Sequence, residues 1–319
     1  MQAKVLLLQD VDPAGKEYLE QNGCECILAA HREGNEMIEE IRKINPEAFL
    51  VRVDGVTREM MEAAPALKVI AKHGVGVENV DIKAASEKGI RVVNVPGGNY
   101  LSVAEHAAFL MMACAKRYKE TERLFGEDGF QARYELPRAL ELGGRTLGIL
   151  GCGHIGRALA RIASAGLDMK VRGWSRSLPA GIVTEEGIEG ASSREEVIRA
   201  ADFLVLCLPS TAETRHSIGM KELDMMKKTA FLINVARGDI VVEQDLIRAL
   251  EEKQIAGAGL DVFDPEPPDP RNPLLHREDV VATPHFAAFT GEAMVRMSLQ
   301  AAQQIVEVLQ GKKPQHPVN

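Results

Sequence analysis

Residues 146–156, Thr-Leu-Gly-Ile-Leu-Gly-Cys-Gly-His-Ile-Gly, constrain the fold of this 319-residue chain more than any other stretch. A short apolar run passes through a glycine-rich turn into a segment with helical periodicity, residues 155–167. Strand, tight turn and helix in that order predict one unit of a parallel α/β sheet. Each glycine of the Gly-x-Gly-x-x-Gly string has its own reason. Gly151 permits the turn, Gly153 lets backbone approach a pyrophosphate, and Gly156 lets helix and strand pack closely. The unpaired N–H groups where the helix opens, at His154 and Ile155, then point at an anion. The predicted ligand is a dinucleotide; the plainer alternative is a purely structural turn.

The same alternation extends along the chain. Between residues 3 and 95, apolar runs at 5–8, 26–29, 48–51, 68–71 and 90–95 are strand-sized. Helix punctuation lies between them: Asp12 then Pro13 at one start with Gly23 at the stop, and Asp81 at another with Gly89 at the stop. Repeats of this length imply a parallel sheet covered on both faces, a flavodoxin-like arrangement. A second series begins at Thr146, with runs at 169–174, 203–208, 231–235, 258–262 and 280–283 and helical segments such as 241–253 between them.

Residues 101–115 are apolar nearly all round a helix, which predicts burial on most sides, as in a link between domains or a subunit interface. His106 within them reads as a core histidine rather than a catalytic one. Residues 116–141 turn polar with no clear period and are predicted as a helix end and loop that reaches a partner subunit. A final helix opens at Thr290 or Gly291, runs to about Gly311, and is expected to return to the first domain. The predicted fold class is α/β, with two doubly wound parallel-sheet domains. Residues 1–98 and 287–319 form a flavodoxin-like substrate domain and residues 99–286 a Rossmann dinucleotide-binding domain. Ligands are expected in the cleft between them, at the carboxyl ends of the strands.

A formal net charge of -8 argues against broad contact with a phosphate backbone, so nucleic acid is not an expected partner. No apolar stretch reaches the roughly 18 residues that span a bilayer, and the run at 5–8 is too short for a secretory leader, so a cytoplasmic location is expected. The five cysteines, Cys24, Cys26, Cys114, Cys152 and Cys207, are odd in number and sit mostly in apolar runs, which predicts buried thiols. Cys24-x-Cys26 has no second Cys or His pair to complete a metal site, and no metal is expected.

Three constellations follow the glycine loop. In residues 233–238, Ile-Asn-Val-Ala-Arg-Gly, a buried-type strand ends in Arg237, whose planar fork suits a carboxylate and an adjacent carbonyl. In residues 260–268, Leu-Asp-Val-Phe-Asp-Pro-Glu-Pro-Pro, a strand enters a proline-stiffened loop that carries Glu266. In residues 282–288, Ala-Thr-Pro-His-Phe-Ala-Ala, His285 stands just past a strand end. Each has an ordinary structural reading when taken alone. Together they follow strands of one sheet, whose carboxyl ends gather in one crevice. A carboxylate beside a histidine fixes its tautomer, and an arginine holds an anionic substrate. That equipment suits hydride transfer to a 2-oxo acid.

The chain resembles the D-isomer-specific 2-hydroxyacid dehydrogenases, the family of D-3-phosphoglycerate dehydrogenase and the glyoxylate and hydroxypyruvate reductases. The likeness is carried over nearly the full length by His-Gly-Val-Gly-Val-Glu-Asn-Val-Asp at 73–81, Asn-Val-Pro-Gly-Gly-Asn at 94–99, Ser-Val-Ala-Glu at 102–105, the glycine loop and the three later motifs. It implies that Arg237 binds and polarises the substrate, that His285 is the acid/base and that Glu266 is its carboxylate partner. It implies further that backbone at Val75 and Gly76 meets the substrate carboxylate and that Asp261 lies near the nicotinamide. Pro209 and Ala236 fall on the cofactor side by the same likeness, which also implies a homodimer.

One departure bears on the cofactor. NAD-binding members carry an acidic residue at the end of the second strand, about 20 residues past the glycine loop. Ser175 stands there instead, followed by Arg176. Neither repels a 2′-phosphate and Arg176 can pair with one, so NADP is favoured over NAD. Arg52 and Lys72, at strand ends of the first domain, could meet the anionic tail of a substrate such as 3-phosphoglycerate, or could be solvated charges. A non-catalytic, dinucleotide-sensing co-repressor is the alternative of another class. A serine hydrolase fits poorly, because no Gly-x-Ser-x-Gly elbow is present.

Overall fold

The computed structural model describes residues 2–319 and divides into two compact units, Met1–Asn99 with Phe289–Asn319, and Tyr100–Ala288. The first is built on five strands: β1 (Ala3–Leu7), β2 (Cys24–Leu28), β3 (Ala48–Val51), β4 (Val69–Lys72) and β5 (Arg91–Val93). All pair in parallel in the order β2-β1-β3-β4-β5, the flavodoxin order. Strand β3 is buried along its whole length, as expected where helices cover both faces. Asp12 caps the helix Pro13–Gln21 by accepting the Ala14 N–H at 3.0 Å, and Asp81 caps Ile82–Glu87 by accepting the Ala84 N–H at 2.8 Å. The helix Gly291–Leu309, capped by Thr290, lies against Pro13–Gln21, with the Ser298 hydroxyl donating to the Asp12 carbonyl at 2.9 Å. Gly15 makes that approach possible, since a Cβ there would lie 2.1 Å from Ser298 Oγ.

The second unit has seven parallel strands: β6 (Thr146–Leu150), β7 (Lys170–Trp174), β8 (Ile188–Gly190), β9 (Phe203–Leu206), β10 (Phe231–Asn234), β11 (Gly257–Leu260) and β12 (Val280–Ala282). Their order, β12-β11-β10-β9-β6-β7-β8, is the Rossmann order with one added strand. Two apolar layers sandwich this sheet. One contains Leu147, Ile149, Phe203 and Ile233 with the inner face of helix Tyr100–Ala115; the other contains Leu204, Leu206, Leu232 and Leu250. Edge strand β8 has no counterpart among the sequence-derived runs, because three residues that follow Gly187 and end in Gly190 give too short a pattern.

Residues 116–141 differ from expectation. They form the helix Tyr118–Asp128, a 3-10 turn Gly129–Gln131 and a short helix Ala132–Glu135. The first of these buries no residue within the chain, so no apolar period marks it. Polar contacts hold it instead: Lys119 Nζ donates to the carbonyls of Leu275, Arg277 and Val280 at 2.9, 2.8 and 3.3 Å. The segment 155–167 is an α-helix only over His154–Arg161 and continues as a π-turn, Ile162–Gly166. No helix of the described residues is long and apolar enough to cross a membrane. All five thiols are free, and burial pushes Cys26 and Cys152 up to about 11 and Cys114 and Cys207 to about 12, so they remain protonated and unreactive at neutral pH.

Candidate active site

The three glycines after β6 occupy three different environments. Gly151 has a φ of +101°, and a Cβ on it would lie 2.5 Å from the Cys207 carbonyl oxygen past the end of β9. Gly156 faces back on the turn, its ideal Cβ 2.4 Å from the Gly151 oxygen. Around Gly153, the cap of helix His154–Arg161, no heavy atom comes within 4 Å of the Cβ position. A turn that packs tightly at two glycines and stays open at the third, at a helix start, fits a pyrophosphate group. Ser175, half-buried just past β7, lies near the Cys152 thiol of this turn. Arg176 beside it is exposed, and no ion pair engages it among the described residues. Pro209, exposed beyond β9, accepts the Thr214 hydroxyl on its carbonyl at 2.6 Å, and Ala236 is buried past β10.

Arg237 is presented by a clamped turn. Asn234, 1% exposed at the end of β10, accepts the Ala236 N–H at 3.1 Å and donates to the Arg237 carbonyl at 2.9 Å. The Arg237 guanidinium donates to the Ala236 carbonyl at 2.7 Å. The next residue, Gly238, lies so close to the loop after β11 that a Cβ would stand 2.0 Å from the carbonyl carbon and oxygen of Phe263. This contact sets the arginine turn against the segment that carries Glu266.

Glu266 is fixed at both oxygens: Oε1 accepts the Phe263 N–H at 3.0 Å and Oε2 lies 2.8 Å from His285 Nδ1. Burial pushes its carboxyl up, but the His285 hydrogen bond, the Phe263 N–H, and the charges of His285 and Arg237 outweigh it and hold the group below the usual 4.5. With Nδ1 engaged, His285 presents Nε2 as the nitrogen for proton exchange. Arg237, Glu266 and His285 thus share one electrostatic environment at the carboxyl ends of β10, β11 and β12.

Asp261 is 1% exposed and works on the backbone of this loop. Its carboxylate accepts the N–H groups of Phe286 and Ala287 at 2.7 and 3.0 Å, and its carbonyl accepts the His285 N–H at 2.7 Å. Asn234 and Thr283 are the site residues to which sequence reading assigned no role. A polar residue closing an otherwise apolar strand, Phe-Leu-Ile-Asn at 231–234, was the available signal for the first.

Arg52, Lys72, Val75 and Gly76 belong to the first unit. Lys72 Nζ donates to the Arg52 carbonyl and, at 2.8 Å, to Asn79 Oδ1, so it braces its own loop. The Arg52 guanidinium donates to the Asp10 carbonyl at 3.1 Å and stacks 5.9 Å from the Phe289 ring centroid. Val75 is 40% exposed and its carbonyl accepts the Asn94 side-chain amide at 2.7 Å, next to half-buried Gly76. His73 beneath them is buried, and burial with the Arg52 charge pushes its imidazole down to about 4.

Residues 108–287 match the family described as D-isomer specific 2-hydroxyacid dehydrogenase, NAD binding domain. The chain is 35% identical over 317 residues to D-3-phosphoglycerate dehydrogenase of Archaeoglobus fulgidus, covering 99% of this chain and 59% of that protein. It is 39% identical over 268 residues to glyoxylate reductase of Korarchaeum cryptofilum, 83% of this chain and 80% of the relative. The structure of an NADPH-dependent glyoxylate/hydroxypyruvate reductase of Sinorhizobium meliloti, in complex with NADP and malonate, superposes with a TM-score of 0.85 at 27% identity, covering 100% of this chain and 97% of the other. The strand orders, the glycine turn and these likenesses agree: the chain belongs to the D-isomer specific 2-hydroxyacid dehydrogenase family.

Proposed function

We propose that the chain is an NAD(P)-dependent D-2-hydroxyacid dehydrogenase acting on a small 2-oxo or 2-hydroxy acid of the glyoxylate, hydroxypyruvate or 3-phosphoglycerate type. The observation that carries this reading is the His285–Glu266 pair, 2.8 Å apart, within the field of Arg237. A nicotinamide cofactor, when bound, supplies the hydride acceptor or donor that protein side chains lack. The protein's own part is to bind, orient and move one proton. His285 Nε2 gives the proton to the substrate oxygen or takes it back, while Glu266 keeps the ring's orientation. Arg237 holds the substrate carboxylate and offsets the charge that grows on the carbonyl oxygen. By the family likeness, the backbone of Val75 and Gly76 is the first unit's candidate for contact with a substrate carboxylate, and Arg52 its candidate for a distal anionic group. Lys72 acts through the loop it braces.

Gly151, Gly153, His154, Ile155 and Gly156 are the pyrophosphate side of the cofactor site, with Pro209 and Ala236 along its wall and Asp261 positioning the histidine loop. Ser175 and Arg176 support NADP over NAD. A homodimer through residues 101–141 is supported by Phe109, Met112, Tyr118, Phe125, Phe130 and Tyr134, which are 40% exposed or more on consecutive helices. The test is a panel of glyoxylate, hydroxypyruvate and the 2-oxo acid of 3-phosphoglycerate with NADPH and NADH. Cofactor oxidation with at least one acid is expected, and its absence with all of them would leave the chain a dinucleotide-binding protein without this activity.

A further inference from the structure

We propose that His106 is a positioning residue for His285, acting through Thr283 and Asp261. The inference rests on the reading of His285 as the acid/base. His285 has a φ of +51°, in the left-handed region that residues with a side chain rarely occupy. Asp261 holds it there. The N–H groups of His285, Phe286 and Ala287 close in succession on the carbonyl, Oδ1 and Oδ2 of that one residue at 2.7, 2.7 and 3.0 Å. The two successive N–H groups of Phe286 and Ala287 on the carboxylate form a nest, and the His285 N–H on the carbonyl anchors the residue before it.

Because Asp261 is 1% exposed, its remaining acceptor capacity must be met by protein donors. Thr283 supplies one, its hydroxyl donating to Oδ1 at 2.6 Å. A hydroxyl has a single proton. With that proton on Asp261, Thr283 Oγ1 can only accept from its other partner, His106 Nε2, at 2.9 Å. His106 therefore carries its proton on Nε2. Burial lowers its proton affinity against the pull of Asp261, 3.5 Å away, which keeps it a neutral donor. The ring is 13% exposed and packs 5.6 Å from Phe109 on the same helix, so the donor has a fixed origin. A chain of hydrogen bonds runs from helix Tyr100–Ala115 to the backbone of His285: His106, Thr283, Asp261, and the nest. Loss of the His106 N–H frees the Thr283 hydroxyl to rotate, and the Oδ1 that holds Phe286 loses its second donor.

The test compares His106→Phe, which keeps a buried ring without an N–H, with His106→Gln, which can present an amide N–H in place of Nε2. Thr283→Val and Thr283→Ser form the parallel pair. Nitrogen-15 spectra of the histidine side chains in the full chain should show His106 in the Nε2–H form. The His285 ring signals should shift in His106→Phe and Thr283→Val and return toward wild type in His106→Gln and Thr283→Ser. With a reducible 2-oxo acid, kcat should fall about 10-fold or more in His106→Phe and Thr283→Val at unchanged cofactor KM, since displacement of a reacting group by about 1 Å can cost roughly 100-fold. An Nδ1–H form at His106, or His285 signals unmoved in His106→Phe, overturns the inference whether or not the chain turns over any acid. If the wild-type chain reduces none of the acids but the His285 signals still shift in His106→Phe and return in His106→Gln, the inference is supported and the result counts against the proposed activity alone.

Discussion

His285 Nδ1 and Glu266 Oε2 lie 2.8 Å apart, and the other oxygen of the same carboxylate accepts the Phe263 N–H at 3.0 Å. The carboxylate therefore ties the histidine to the strand-end loop of β11 while leaving Nε2 for exchange. Removing its charge has a pH-dependent consequence. Burial alone would raise the Glu266 carboxyl, yet its hydrogen bonds and neighbouring positive charges hold it below 4.5. A carboxyl depressed in the folded state adds stability above its unfolded value and loses it as pH falls through the folded one. Glu266→Gln should thus melt below wild type at neutral pH and approach it under acid, where both carry an uncharged group. Thermal melts from neutral pH down to about pH 3 would follow that convergence. Its turnover should fall by about 10-fold or more, because an amide can offer its N–H and impose the wrong histidine tautomer.

Gly238 predicts a coupled loss. A Cβ there meets the carbonyl carbon and oxygen of Phe263 at 2.0 Å, and these are backbone atoms that cannot rotate aside. Either the Arg237 turn or the Glu266 loop must move. Gly238→Ala should cost about 1–3 kcal/mol in a denaturant melt and lower kcat as well. Gly126→Ala is the control: nothing lies within 4 Å of its Cβ position in the helix Tyr118–Asp128, so kcat should hold and stability should rise by about 0.5–1 kcal/mol, the helix preference for Ala over Gly.

Whether a feature can be read from the sequence depended on where its stabilising contacts lie. Strands such as Ala48–Val51 are apolar because both faces are covered, and the glycine turn is spaced by its own packing, so both are visible locally. The meeting of Glu266 with His285 is nearly so, since each stands a few residues beyond a strand of one parallel sheet. Tyr118–Asp128 is invisible because its tethers are Lys119 and Arg123, which reach residues about 155 positions away, and none of its residues is buried within the chain. The role of His106 was equally hidden: in an apolar helix, a histidine bonded to Thr283 and one packed passively have the same sequence signature.

His73 gives a second pH prediction of the same sign. Its imidazole, 6% exposed, is pushed from 6.5 down to about 4 by burial, with the Arg52 charge adding to it. Between those values the unfolded chain binds a proton that the folded chain refuses, so stability falls as pH drops from 6.5 toward 4 and is unaffected by this group above 6.5. The full loss is about 3 kcal/mol. A His73→Gln variant should lack that slope. Urea midpoints of both proteins across this range would reveal the difference; parallel curves would mean that His73 titrates normally.

The proposed preference for NADP rests on two adjacent side chains. Ser175 sits just past β7, near the Cys152 thiol of the glycine turn, and Arg176 is exposed with no ion pair among the described residues. A carboxylate at Ser175 would accept two ribose hydroxyls and repel a 2′-phosphate, whereas a serine beside an unengaged arginine does the reverse. Wild type should therefore show the higher kcat/KM with NADPH. Arg176→Ala should lose about 10-fold with NADPH, roughly 1.4 kcal/mol, and leave NADH unaffected. Ser175→Asp should move the ratio further, gaining with NADH as it loses with NADPH. Steady-state rates of the three proteins with both cofactors separate the possibilities: a wild type that prefers NADH, or an Arg176→Ala variant that weakens both cofactors alike, would mean that the arginine points away from the 2′ position.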